Sequence, residues 1–136
     1  AKIIHIPGHT LGHICFYFYK EESVFTGDTL FSLGCGRIFE GTYSQMFNSL
    51  MKLKTLPKET KIFCGHEYTK KNSDFCIAHD QKNKNLKIKI NDINRKLKNG
   101  LFTVPSTIKD ELDCNIFLRS NNVETFSKLR DLKDNF

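Results

Sequence analysis

Two hydrophobic rhythms divide this chain near residue 69. Before it, β-branched and aromatic residues gather in short runs punctuated by glycine. KIIHI at 2–6 and ICFYFY at 14–19 read as strands. SVFT at 23–26 and KIFC at 61–64 are short apolar runs of the kind that form largely buried strands. Between these two, Met46, Leu50 and Leu53 share one face of a helix predicted from Tyr43 to about Leu56, with Pro57 as its stop.

After residue 69 glycine nearly vanishes and the period lengthens. Lys70 to His79 is predicted as one helix. Leu86, Ile90, Ile93 and Leu97 form an i, i+4, i+7, i+11 stripe that Asn99-Gly100 closes as a C-cap. Pro105 and Ser106 predict a short helix at about 107–113 with Ser106 as its cap, and Val123 to Lys133 forms a last helix. The many lysines and asparagines here read as solvated helix faces. The chain thus divides into a strand-rich unit, 1–68, and a helical unit, 69–136.

Composition narrows the class. With 136 residues, 39% hydrophobic and 26% charged, this is an ordinary soluble globular chain of one domain or two small ones. No apolar run reaches the length of a membrane span, and no signal-peptide pattern is visible. Ala1-Lys2 leads straight into a strand-like run, so the start is expected to lie inside a longer protein. Five cysteines with no C-x-x-C pair argue against a disulfide framework and for a reducing, cytoplasmic setting. Cys15 and Cys64 are expected as small buried hydrophobes. A net charge of +6 attracts anions but leaves nucleic acid, membrane and a small acidic substrate all open.

Three segments carry chemistry: PGHTLGH at 7–13, TGDTLF at 26–31 and CGHEY at 64–68. Each sets a metal-binding side chain (His9, Asp28, His66) just after a strand-like run, beside a glycine. Imidazole and carboxylate suit Zn²⁺, and also iron or manganese. Any one of the three alone is an ordinary hydrogen-bonding residue; their recurrence after three strands makes a shared centre the better reading.

In order, these segments resemble the later metal motifs of the metallo-β-lactamase superfamily. GDTLFSLGCGRIFEGT at 27–42, NIFLR at 115–119 and KLRDLKD at 128–134 resemble glyoxalase II (hydroxyacylglutathione hydrolase) specifically. The resemblance implies an α/β fold: the C-terminal half of an αββα sandwich, followed by a small α-helical domain that binds glutathione. It implies hydrolysis of a glutathione thioester by a metal-bound hydroxide, with two divalent metal ions, zinc foremost. His9 would hold one ion and His66 the other. Asp28 would bridge both and hold the hydroxide. His13 would support the ligands from behind. Arg37, Phe39, Tyr68, Arg130 and Lys133 would contact the substrate, with Arg130 and Lys133 adjacent on one helix face.

Two departures accompany the resemblance. Phe39 stands where the family commonly has a tyrosine, so one hydrogen bond to substrate, about 0.5–1.5 kcal/mol, is missing. The superfamily's first metal motif, T-H-x-H-x-D-H, would lie upstream of Ala1. With two protein donors per ion instead of three or four, this chain alone is expected to be inactive, and its sheet is expected to expose apolar surface. Two rivals remain. One is another superfamily enzyme, such as an iron persulfide dioxygenase, against which the tail carrying Arg130 and Lys133 weighs. The other is a basic nucleic-acid-binding module, against which the apolar stripe of 82–98 and the lack of a finger or RNA-binding signature weigh. The expected partner is the thioester substrate, with neither nucleic acid nor membrane.

Overall fold

The computed structural model describes residues 1–136. Five strands form one mixed sheet: β1 (Lys2–His5), β2 (Ile14–Phe18), β3 (Ser23–Gly27), then, later in the chain, β6 (Lys61–Cys64) and β7 (Ser106–Thr107), in that spatial order. All neighbours are antiparallel except β3 and β6, which run parallel. A parallel pair needs a crossover. Here the crossover carries a small hairpin, β4 (Leu30–Phe31) with β5 (Gly34–Cys35), and the helix α1 (Tyr43–Lys54).

Helix α1 starts where Thr42 and Gln45 form a reciprocal capping box, and Met46, Leu50 and Leu53 of its predicted stripe are fully buried. They meet Val24 and Ile62 of the sheet and Phe75, Phe117 and Phe126 of the later helices in one core. Four helices follow: α2 (Thr69–His79), α3 (Lys84–Lys98), α4 (Ile108–Cys114) and α5 (Val123–Asp134). Gly100, at φ +70°, ends α3 as predicted, with the Leu101 amide reaching back to the Lys96 carbonyl.

Three local expectations are corrected. Thr107, not Ser106, caps α4 by accepting from the Asp110 amide; Ser106 is drawn into β7 beside Ile62. Leu97 is exposed, because the apolar stripe of α3 leaves the core after Ile93. Cys64 is only half-buried, since β6 ends there, and its thiol donates to the His66 carbonyl. Cys15 is fully buried as expected.

The other sheet face is apolar and uncovered. Ile3, Phe16, Phe25 and Phe63 lie in register across four strands, the first three exposed. No helix is long and apolar enough to cross a membrane.

Candidate metal centre and its supports

The ends of β1, β3 and β6 deliver the three predicted ligands to one place. His9 Nε2 lies 3.6 Å from one Asp28 carboxylate oxygen, and His66 Nε2 lies 3.3 Å from the other. Two backbone features allow this. Gly27 takes φ +56°, and a side chain there would meet the His13 ring at 2.6 Å. Gly65 passes so close to Asp28 that a Cβ would sit 2.5 Å from its carboxylate.

Hydrogen bonding fixes which nitrogen of His9 faces inward. Its Nδ1 lies 2.7 Å from the Arg37 carbonyl, which can only accept, so Nδ1 carries the proton. Nε2 is then turned toward a carboxylate oxygen 3.6 Å away. A proton on Nε2 or a metal ion between the two groups satisfies both. His13 Nε2 is already engaged, accepting from the Asp28 amide at 3.2 Å, so it orients the ligand strand end rather than adding a donor. The donor set therefore fits divalent cations held between His9, Asp28 and His66.

Aromatic rings flank the candidate ligands. Phe39 packs edge-on against His9, and Tyr68 stacks on His66 with centroids 4.6 Å apart. Phe31, buried on the hairpin, lies beneath both His66 and Tyr68. Beyond Tyr68 opens a cavity of about 570 Å³ lined by Glu67, Tyr68, Lys70, Lys71, Asn72 and Lys133. Burial, then the nearby Arg130 charge, holds the Lys133 ammonium below its usual range.

Arg130 does not share that wall with Lys133. Its side chain is buried, lies over the Phe117 ring, and donates to the Cys35 and Gly36 carbonyls and to Asp134. Arg37 is exposed at the rim and also pairs with Asp134, at 3.2 Å. The predicted adjacency of Arg130 and Lys133 holds along the helix, but a lysine three residues on points into a different environment.

No local pattern in the chain marks the hairpin's supports. Asn72 donates to Ser32, Cys76 to the Leu33 carbonyl, and Asn115 to the Phe31 and Gly34 carbonyls; Glu111 accepts from the Leu33 amide at 2.7 Å. With Arg130, the helical segment thus grips a fully buried hairpin, 31–36, that backs the ligands.

Comparison with known proteins places the chain in a family. Residues 67–136 match the family described as hydroxyacylglutathione hydrolase C-terminus, and residues 1–66 match the metallo-beta-lactamase superfamily. Over the whole chain it is 79% identical to a hydroxyacylglutathione hydrolase of Pelagibacter ubique, covering 57% of that protein. Over 98% of the chain it is 48% identical to one of Prochlorococcus marinus, covering 55% of it. The chain spans a little over half the length of these curated relatives. Among solved structures it is similar to ETHE1 from Myxococcus xanthus, with a TM-score of 0.64 and 26% identity, over 96% of this chain and 44% of that one. The fold is that of the metallo-β-lactamase superfamily, and the chain belongs to the hydroxyacylglutathione hydrolase family.

Proposed function

We propose that the full-length protein hydrolyses S-(2-hydroxyacyl)glutathione, such as S-D-lactoylglutathione, to glutathione and a 2-hydroxy acid, the second step of the glyoxalase pathway for methylglyoxal detoxification. One observation carries this reading. A carboxylate turns its two oxygens to two imidazole nitrogens, at 3.6 and 3.3 Å, next to a cavity with three lysines. Family membership and the names of the relatives support it.

Divalent cations bound there, zinc foremost and iron or manganese as alternatives, would acidify a shared water and polarise the thioester carbonyl. The chain's own residues do the rest. His9 and His66 present Nε2 from opposite sides, and Asp28 supplies negative charge between them. Phe39 packs against the His9 ring, and Phe31 and Tyr68 against the His66 ring. Lys70, Lys71 and Lys133 receive the carboxylates of the tripeptide, with Arg37 on the rim. Arg130 serves by holding the Cys35 and Gly36 carbonyls. Residues 1–68 thus provide the ligands and residues 69–136 most of the basic cavity.

The direct test is to load the full-length protein with metal and follow S-D-lactoylglutathione. We expect one thiol released per thioester consumed; consumption of oxygen without thioester loss would overturn the reading. Lys133→Ala is expected to raise KM roughly tenfold with kcat nearly unchanged, the pattern left when binding common to ground and transition state is lost. A fall in kcat at constant KM would remove Lys133 from the tripeptide site.

A further inference from the structure

Between His66 and Tyr68 in the chain stands a carboxylate whose hydrogen bonds go to neither. Glu67 Oε1 accepts the amides of Thr103 and Val104, at 2.9 and 2.8 Å, and Oε2 accepts the Thr103 hydroxyl at 2.6 Å. The Thr69 hydroxyl lies 2.6 Å from the Thr103 hydroxyl and donates to it in turn. These bonds span 36 residues of sequence and join the end of β6 to the segment between α3 and β7. Glu67 thus has three donors from Thr103 and Val104, two of them backbone amides. Charge-assisted bonds of this kind are the stronger ones, and three on one carboxylate leave it little freedom.

His66 is otherwise weakly fixed. Its side chain is 46% exposed, against 19% for His9, which is anchored by its Nδ1 bond to Arg37. What bears on the His66 ring is stacking with Tyr68 and contact with Phe31. Tyr68 opens α2 with no side-chain cap of its own, while Thr69, next in line, joins the same network. The flanking carbonyls have local partners, the Cys64 thiol on His66 and the Asn72 amide on Tyr68, while the Glu67 bonds alone tie residues 66–68 to Thr103 and Val104.

We infer that Glu67 is a positioning residue, which sets the pose of His66 and Tyr68 by tying their strand end to Thr103 and Val104. The inference rests on the metal-centre reading given above. Its consequence is selective: the cation on the His66 side should depend on Glu67, and the one on the His9 side should not.

The test uses the full-length protein, stripped of metal and titrated with Zn²⁺ against a chromophoric chelator. Wild type is expected to bind two equivalents. Glu67→Ala removes both acceptor oxygens, and Thr103→Val deletes the hydroxyl at nearly constant shape. Each should weaken one equivalent by about tenfold, the lower end of what a lost supporting partner costs a metal site, and leave the other within about twofold. Thr103→Ser keeps the hydroxyl and should restore wild-type affinity. Unchanged affinity for both equivalents in Glu67→Ala would overturn the inference. So would equal weakening of both together with a lower melting temperature of the metal-free protein, which marks a general structural role. Failure of the underlying reading shows separately, as fewer than two equivalents and no thioester hydrolysis in wild type itself.

Discussion

Asp28→Asn in the full-length protein is expected to cut kcat/KM on S-D-lactoylglutathione by about three orders of magnitude and to release about one equivalent of metal. Asparagine keeps the shape of the side chain but removes its charge and replaces one oxygen with an N–H donor. At this position both oxygens have work: one faces His9 and the other His66. A donor group turned toward either histidine repels a cation there, and the negative charge shared between the two sides is lost. Stabilisation of transition-state charge by bound metal is worth several kcal/mol, and about 4 kcal/mol corresponds to a factor of about a thousand. The fold itself should survive, because Asp28 is about a third exposed at a strand end and its structural bond to His13 runs through its backbone amide. Metal content and steady-state kinetics, read beside the melting temperature of the metal-free protein, check this. Activity within tenfold of wild type, with both metals retained, would remove Asp28 from the bridging role.

The elements that the sequence made legible share a physical cause. Strands β1, β2, β3 and β6 and helices α1, α3 and α5 each carry a regular apolar pattern that local spacing records. The convergence of His9, Asp28 and His66 was legible for a related reason, since each follows a strand and a sheet brings strand ends together. What stayed hidden depends on partners distant in sequence. The hairpin of β4 and β5 has two residues per strand and no periodicity, and it is held by Asn72, Cys76, Glu111, Asn115 and Arg130 from the far end of the chain. Strand β7 exists because Ser106 and Thr107 meet Ile62 and Lys61, not because of their own β propensity. Arg130 looked like half of a surface pair because spacing gives adjacency along a helix but says nothing about which neighbour has Asp134 and two carbonyls waiting. Glu111 lies in no motif, and Glu67, although inside CGHEY, has partners 36 and 37 residues away that no local spacing records.

The helical segment therefore contributes more than lysines to the site. Its polar side chains replace the missing backbone partners of a buried turn in which Leu33 takes φ +61°. Such a turn buries carbonyls and amides that an isolated hairpin would leave to water, and each needs a partner. Because the hairpin carries Phe31 under His66 and leads directly into the Arg37 carbonyl that orients His9, support from the helices reaches both ligands.

One of those supports should make stability depend on pH. Glu111 is fully buried and accepts from the Leu33 amide and from Asn115; its Oε2 and the buried Ser106 hydroxyl interact but fall short of good hydrogen-bond geometry. Burial pushes its carboxyl up to about 7 from 4.5, opposed by the Leu33 amide, by Asn115 and Ser106, and by the charge of Lys89. Between those two values the folded protein holds a proton that the unfolded chain has released. Stability is then fully present below about pH 4.5, falls as pH rises, and is lost through pH 7. The difference of 7 and 4.5, at about 1.4 kcal/mol per unit, amounts to about 3 kcal/mol. Glu111→Gln keeps an acceptor for Leu33 and Asn115 and offers a donor toward Ser106 without ever ionising. It should match wild type near pH 4.5 and exceed it by up to about 3 kcal/mol above pH 7. Urea unfolding of both proteins at several pH values from 4.5 to 8 isolates this group, because every other carboxylate, including the lowered Asp92, contributes equally to each. A constant difference across that range, or a wild type that gains on Glu111→Gln as pH rises, would show that Glu111 is ionised in the folded protein.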